Sequence, residues 1–196
     1  MAHRPRKEMI AETRAKLIAA GREAFGTIGY TDSSMDDFTA ACGLTRGALY
    51  HHFGDKKGLM AAVVEQIDAE MTQRLDQVAA RAPSRWQGFV DENLGYLKMA
   101  LEPEIQRIVL RDGPAVLGDP SNWPTSQGCV ASISSSISAL QAEGVIIADM
   151  DAEAAARLIT GASTQAAQWI ANSDDPEATL EKAVAAFRTM LEGFLA

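Results

Sequence analysis

An all-α fold is expected of this 196-residue chain, and three observations carry the expectation. Alanine-rich segments place apolar residues three and four positions apart through most of the sequence, which is the spacing of one helix face. Sustained alternation of apolar and polar residues, which a half-buried strand requires, is nearly absent. The segments are punctuated by Ser, Thr and Asp that can start a helix and by glycines and prolines that stop one. The length suits one domain, or a small domain followed by a larger one.

The first eight residues, MAHRPRKE, are polar and basic. They read either as a solvated tail or as an arm whose Arg4, Arg6 and Lys7 neutralise phosphates or enter a minor groove. A first helix is expected over about Met9 to Ile28, with Ile10, Leu17, Ala20, Ala24, Phe25 and Ile28 on its inner side. Gly29 ends it and Tyr30 packs back. Ser34 is a good N-cap with Asp37 three residues on, so a second helix starts there and runs to about Ala41. Gly43 permits the left-handed backbone that closes a helix, and Thr45 can cap the next one.

Phe38, Ala41, Leu44, Leu49 and Phe53 have the spacing that packs these two short helices together and onto a third. Arg46, Gly47, Ala48, Tyr50, His51 and His52 are then left facing outward. A helix showing a guanidinium, two imidazoles, a phenol and no carboxylate suits the acceptor-rich major groove of DNA. Asp55 caps a further helix whose first turn holds Lys56 and Lys57. The helix dipole disfavours cations at that end, so the pair points to an anionic partner.

Beginning at Thr13, the run TRAKLIAAGREAFGTIGYTDSSMDDFTAACGLTRGALYHHFGDKKGLMAAV resembles, without a gap, the DNA-binding domain of the tetracycline-repressor (TetR) family of one-component transcriptional regulators. Thr39 and Cys42 stand where that family usually has alanine, and Phe38 where it usually has isoleucine; these are packing positions. Residue chemistry and resemblance agree on roles. Arg46 can bond guanine O6 and N7 together, a pairing that discriminates by roughly 1–3 kcal/mol. Ala48 suits a thymine methyl, and Gly47 lets the backbone approach closely. Ser34, Thr45, Tyr50, His51 and Lys56 are placed for phosphates. The expected division is a helix-turn-helix domain with its basic arm over 1–54 and a helical effector-binding and dimerisation domain over 55–196.

The helix opened by Asp55 is expected to reach Ala80 through Leu59, Met60, Val63, Val64, Ile67, Met71, Leu75 and Val78, longer than a three-helix module needs. Pro83 interrupts, and Ser84 caps a helix to about Leu101 with Trp86, Phe89, Val90, Leu94 and Leu97 inward. Past Pro103, a short helix around Glu104 to Arg111 leads into the bent connector DGPAVLGDPSNWP. Another helix spans roughly Trp123 to Glu143, with Val130, Ile133, Ile137 and Leu140 on one face, and Gly144 closes it. Asp151 caps a helix to about Asn172, and Asp175-Pro176 opens the last one.

The terminal helix pair is too apolar for a single buried face. Ala155, Ile159, Ala162, Ala166, Leu180, Val184, Phe187 and Leu191 are therefore expected at a homodimer interface, and the resemblance implies a four-helix bundle there. It also implies an effector cavity among the middle helices, for which Trp86, Phe89, Tyr96, Met99, Ile108, Trp123, Ile133, Ser134, Ile137, Gln165 and Trp169 are candidates. No run of like charge marks the ligand as ionic, so an apolar or weakly polar molecule is expected.

The formal net charge of −8 is unevenly spread. Residues 1–60 hold nine Lys and Arg against seven Asp and Glu, and the remainder holds nine against nineteen. An acidic body behind a locally basic face disfavours docking on DNA in the wrong orientation. No apolar run of membrane-spanning length and no signal-peptide pattern occur, so a cytoplasmic location is expected. Cys42 and Cys129 suit free thiols. His51 and His52 point about 100° apart on a helix and cannot easily share one ion, and Cys129 has no histidine base near it in sequence. Neither metal, cofactor nor catalysis is expected. The whole points to a homodimeric repressor on a palindromic operator, released by a small molecule, with recognition helices roughly 34–36 Å apart or somewhat more. An activator or an effector-requiring repressor of the same fold, or a helical ligand-binding protein without DNA binding, is the alternative.

Overall fold

The structure, a computed structural model, describes residues 6–196; Arg4 of the basic arm lies outside the described residues. Among the described residues nine α-helices follow in order: α1 Arg6–Thr27, α2 Met35–Cys42, α3 Arg46–Phe53, α4 Lys56–Ala80, α5 Arg85–Met99, α6 Gly113–Leu117, α7 Pro124–Ala142, α8 Ala152–Ala171 and α9 Pro176–Glu192. A π-helical segment, Ile105–Asp112, runs directly into α6, and a 3₁₀ turn, Pro120–Asn122, precedes α7. Among the described residues there is no strand, only an isolated antiparallel bridge between Ile146 and Leu195.

Local chemistry sets most helix starts. Ser34, Thr45, Asp55, Ser84, Asp151 and Asp175 each accept a hydrogen bond from the amide three residues on. Each satisfies a donor that would otherwise be orphaned, typically contributing about 1 kcal/mol. Gly43 closes α2 in the left-handed region at φ 63°. The expected bend at Gly113-Pro114 is instead helical, because proline in a first turn lacks only an amide that the helix does not use.

Leu17, Ile18 and Phe25 of α1 pack with Leu59, Met60 and Val63 of α4, and Phe38 and Leu49 close the head against them. Phe25 lies edge-on to Phe38, ring centroids 5.4 Å apart. Three expectations for this region are corrected. Ile10 is exposed on the outer side of the first turns of α1; Ile28 is exposed because it lies past the helix end; and Ala41 is exposed on the outer side of α2. A Cβ at Gly58 would come within 1.9 Å of the Phe53 carbonyl, so the first turn of α4 can sit this close to the end of α3 only with glycine there.

The π-helical segment ties head to body. Arg107 donates to the Thr27 carbonyl at 2.7 Å, and Asp112 accepts from the Tyr30 amide at 3.0 Å. Arg111 caps the end of α8 by donating to the Ala171 carbonyl. Gly29, at φ 89°, leaves room for Arg107, whose Nη2 would be 2.5 Å from a Cβ at that position. Arg22 of α1 adds bidentate contacts of 2.6–2.8 Å to Glu70 of α4 and Glu104.

Substituting Gly58→Ala should force α3 and α4 apart and cost about 1–3 kcal/mol, seen as a lower unfolding midpoint by circular dichroism.

Candidate nucleic-acid interface and ligand cavity

Thr45 holds α3 at its first turn, and Leu49, fully buried, anchors its inner side. The opposite side is open. Arg46 and Tyr50 are exposed, with Tyr50 46% accessible, and Gly47 and His51 are exposed as well, with Ala48 half-buried. The Arg46 guanidinium lies over the Tyr50 ring at 5.6 Å and reaches Asp36 at 3.5 Å. Both partners of that ion pair are largely in water, so it holds Arg46 only weakly and leaves it free to turn.

A Cβ at Gly47 would meet nothing closer than the Thr45 hydroxyl at 3.8 Å. The packing of the fold therefore does not need glycine there. Ser34 and Thr45 accept amide hydrogen bonds as caps, yet each hydroxyl keeps a proton to donate.

Lys56 stands differently from its expected phosphate role. Its ammonium donates to the Ser33 carbonyl at 2.5 Å and lies 4.4 Å from the Tyr30 ring centroid. Burial lowers its pKa, with Asp32 opposing. The half-buried Lys56 thus clamps the turn before α2 onto the start of α4, while its neighbour Lys57 is exposed. Arg6 and Lys7 lie in the exposed first turn of α1.

In the body, α4, α5, the π-helical segment, α7 and α8 line a cavity of about 540 Å³ that is open to solvent along its Glu65, Thr72 and Asp76 side. Of the sequence candidates, Tyr96, Trp123 and Ile133 line it. Trp86, Phe89, Met99, Ile108, Ser134, Ile137, Gln165 and Trp169 do not. Ile108 and Ile137 are fully buried core, Phe89 and Met99 are buried nearly as far, and Trp169 is half exposed on the outer side of α8. The lining also holds Met71, Leu75, Val109 and Leu110, with Thr72, Thr160, Ser163, Thr164 and Gln168 as neutral polar groups.

The expectation of a site without like-charge clustering is corrected. Glu65, Asp68 and Asp76 of α4 and Glu92 of α5 all line the cavity, and no Lys, Arg or His does among the described residues. Asp68 accepts from the Thr125 hydroxyl at 2.8 Å, and burial pushes its pKa up to about 6 against the opposing pull of that bond. Burial, then the nearby Asp76, raises Glu92. The Tyr96 phenol is raised by burial first and by Asp68 second. Sequence reasoning missed these carboxylates although a signal existed: Glu65, Asp68 and Asp76, with the neutral Thr72 between them, fall on one side of α4 at helical spacing, beside its apolar stripe.

Among the described residues, no three His, Cys, Asp or Glu gather closely enough to share a metal ion. No described helix is long and apolar enough to cross a membrane.

A helix-turn-helix head whose outer face is open, set on an all-helical body that holds a cavity, is the architecture of a DNA-binding regulator. The comparisons agree. Residues 17–63 match the family model for bacterial regulatory proteins of the tetR family, and residues 86–194 match the tetracyclin repressor-like C-terminal domain. A TetR-family transcriptional regulator from Pectobacterium atrosepticum, known by its crystal structure, is 53% identical over 98% of both chains with a TM-score of 0.90. The transcriptional regulator TtgR of Pseudomonas putida is 38% identical over 61 residues, 31% of this chain and 29% of its own length. The transcriptional repressor AcnR of Corynebacterium glutamicum is 27% identical over 100 residues, 51% of this chain and 52% of its own. The chain belongs to the TetR family of DNA-binding transcriptional regulators.

Replacing Asp68 with Asn tests the cavity's charge. The folded-state pKa of Asp68 is raised to about 6 from an ordinary 3.8, so its stabilising contribution is complete below about pH 4 and is lost as pH rises through 6. Asp68→Asn should therefore be more stable than wild type at pH 7 by roughly 2–3 kcal/mol, with the difference vanishing near pH 4 in denaturant titrations.

Proposed function

We propose that this protein is a homodimeric repressor that holds a palindromic operator in its ligand-free state and lets go when a small molecule enters the cavity. The observation that carries the reading is the two-sided placement of the π-helical segment. Val109 and Leu110 line the cavity, while Arg107 and Asp112 of the same eight residues hold the end of α1 and the turn after it. π-Helical geometry is rare and concentrates at functional sites. A ligand that packs better against one arrangement of this segment shifts the head through those bonds, and through α4, in proportion to its differential affinity. In this reading the chain divides into residues 1–54 and 55–196, with α4 as the lever that couples them.

On DNA, Arg46 reads a guanine edge, Ala48 meets a thymine methyl, and Gly47 lets the backbone come close. Ser34, Thr45, Tyr50 and His51 bond phosphates, with Lys57 supplying the exposed ammonium at the start of α4 while Lys56 stays clamped to Ser33.

The dimer face differs from the one expected from sequence. Ala155, Ile159, Phe187 and Leu191 are buried within the protomer, so they cannot also cover a partner. Ala162, Ala166, Leu180 and Val184 remain half-buried. Leu158, 73% exposed, and Trp169, 50% exposed, mark an outward apolar stripe on α8 that passes Gly161, Ala162 and Gln165 at helical spacing. Paired with the exposed side of α9, this stripe supports a four-helix bundle about a two-fold axis.

Selection of bound sequences from random DNA should return a palindrome, and a non-symmetric or absent consensus would refute the operator reading. Arg46→Ala should relax choice at one position per half-site, at about 1–3 kcal/mol. Gly47→Ala should leave the fold as stable or up to about 1 kcal/mol more so, yet lose operator affinity. Leu158→Arg should yield monomers in sedimentation and abolish tight operator binding.

A further inference from the structure

We propose that the cavity takes an organic cation: an apolar or aromatic body that carries an ammonium group. The inference rests on the reading of this cavity as the effector site and names the chemistry of its occupant. Along α4, Glu65, Asp68 and Asp76 share one face at helical spacing, and Glu92 joins them from α5. Asp68 and Glu92 are half-buried, and neither forms an ion pair among the described residues. The neutral Thr125 hydroxyl bonds Asp68, and Glu92 faces another carboxylate in Asp76.

Each class of ligand meets this arrangement differently. An anion would meet Glu65, Asp68, Asp76 and Glu92 with no basic side chain in the described lining, Arg14 and His52 standing in an adjoining pocket that shares Glu65 and Asp68, so repulsion disfavours it. A neutral apolar molecule would displace the water that now solvates these carboxylates and leave them desolvated without a partner, a costly outcome. A cation supplies that partner while its apolar body fills the space between Met71, Leu75, Val109 and Ile133. Tyr96 and Trp123 bring aromatic surface to the same cavity, and an ammonium is attracted to the face of such rings. A bare metal ion is disfavoured, since among the described residues no three potential ligands converge. Charge spread along a cavity of about 540 Å³ suits a diffuse, drug-sized cation.

Three probes with one skeleton test this: a biphenylbutyl chain ended by trimethylammonium, by hydroxyl or by carboxylate, each titrated calorimetrically into the full-length protein. The permanently charged ammonium should bind roughly tenfold or more tighter than the alcohol, and the carboxylate should show no binding. The Asp68→Asn, Glu92→Gln double variant should bind the alcohol at least as tightly as wild type, because the desolvation cost of the two carboxylates is gone, and lose the preference for the cation. Binding of the alcohol also reports that the variant is folded, and circular dichroism checks this independently. Equal binding of ammonium and alcohol, tighter binding of the carboxylate, no binding of any probe, or a preference that survives the double substitution would each overturn the proposal. The operator arm separates it from the regulatory reading. Binding of the cation without release of selected operator DNA, followed by fluorescence anisotropy, upholds the ligand class and sinks the release mechanism. Release by the alcohol in preference to the cation does the opposite.

Discussion

Leu59 of α4, fully buried, is seated so closely on α1 that a Cβ at Gly21 would stand 2.9 Å from its Cδ2. This contact is where the first turns of the long helix become part of the head. The same helix carries Met71 and Leu75 to the cavity four turns on. Helices are stiff over such lengths, and packed interiors resist continuous deformation, so the two ends of α4 cannot rearrange independently. A short residue at position 21 and a branched one at 59 thus make one rigid element common to the surface that meets DNA and the space that can hold a ligand.

Three side chains of the π-helical segment reinforce that link from the other side. The wider turn lets eight residues send Arg107 and Asp112 toward α1, Arg111 toward the end of α8, and Val109 and Leu110 into the cavity. Arg22 gathers Glu70 and Glu104 beside it, and its bonds hold the Glu70 carboxylate below the usual range. Charge-assisted, bidentate contacts of this kind fix geometry more than they add stability. The head is therefore held at a defined attitude by polar contacts at its edge and by apolar packing at its centre.

Charge is distributed to match. The acidic excess beyond residue 60 gives the body a negative field, which in the proposed repressor disfavours docking the body on DNA, and part of it lines the cavity. Four of those carboxylates line one cavity, although they are spread over some thirty positions of sequence on two helices. At the other end of the molecule, a lysine expected to face DNA turns inward to Ser33, because a carbonyl and the face of Tyr30 lie within its reach. In both places the composition of a segment was plain, and the direction in which its charges face was not.

Sequence alone determined what depends on neighbours a few residues apart. The caps at Ser34, Thr45, Asp55, Ser84, Asp151 and Asp175, the left-handed close at Gly43, and the Arg46 to His51 face of α3 all follow from local hydrogen bonding and helical period. Tertiary structure decided which of two apolar faces on α8 goes inside, so that Ile159 is buried and Leu158 stands out. It also decided that Glu92 meets Asp76 across a cavity, that Gly113 and Pro114 continue a helix, and that Arg107 reaches the end of α1 some eighty residues earlier. Periodicity specifies a stripe but not its partner, and burial and charge environment exist only once distant segments have packed.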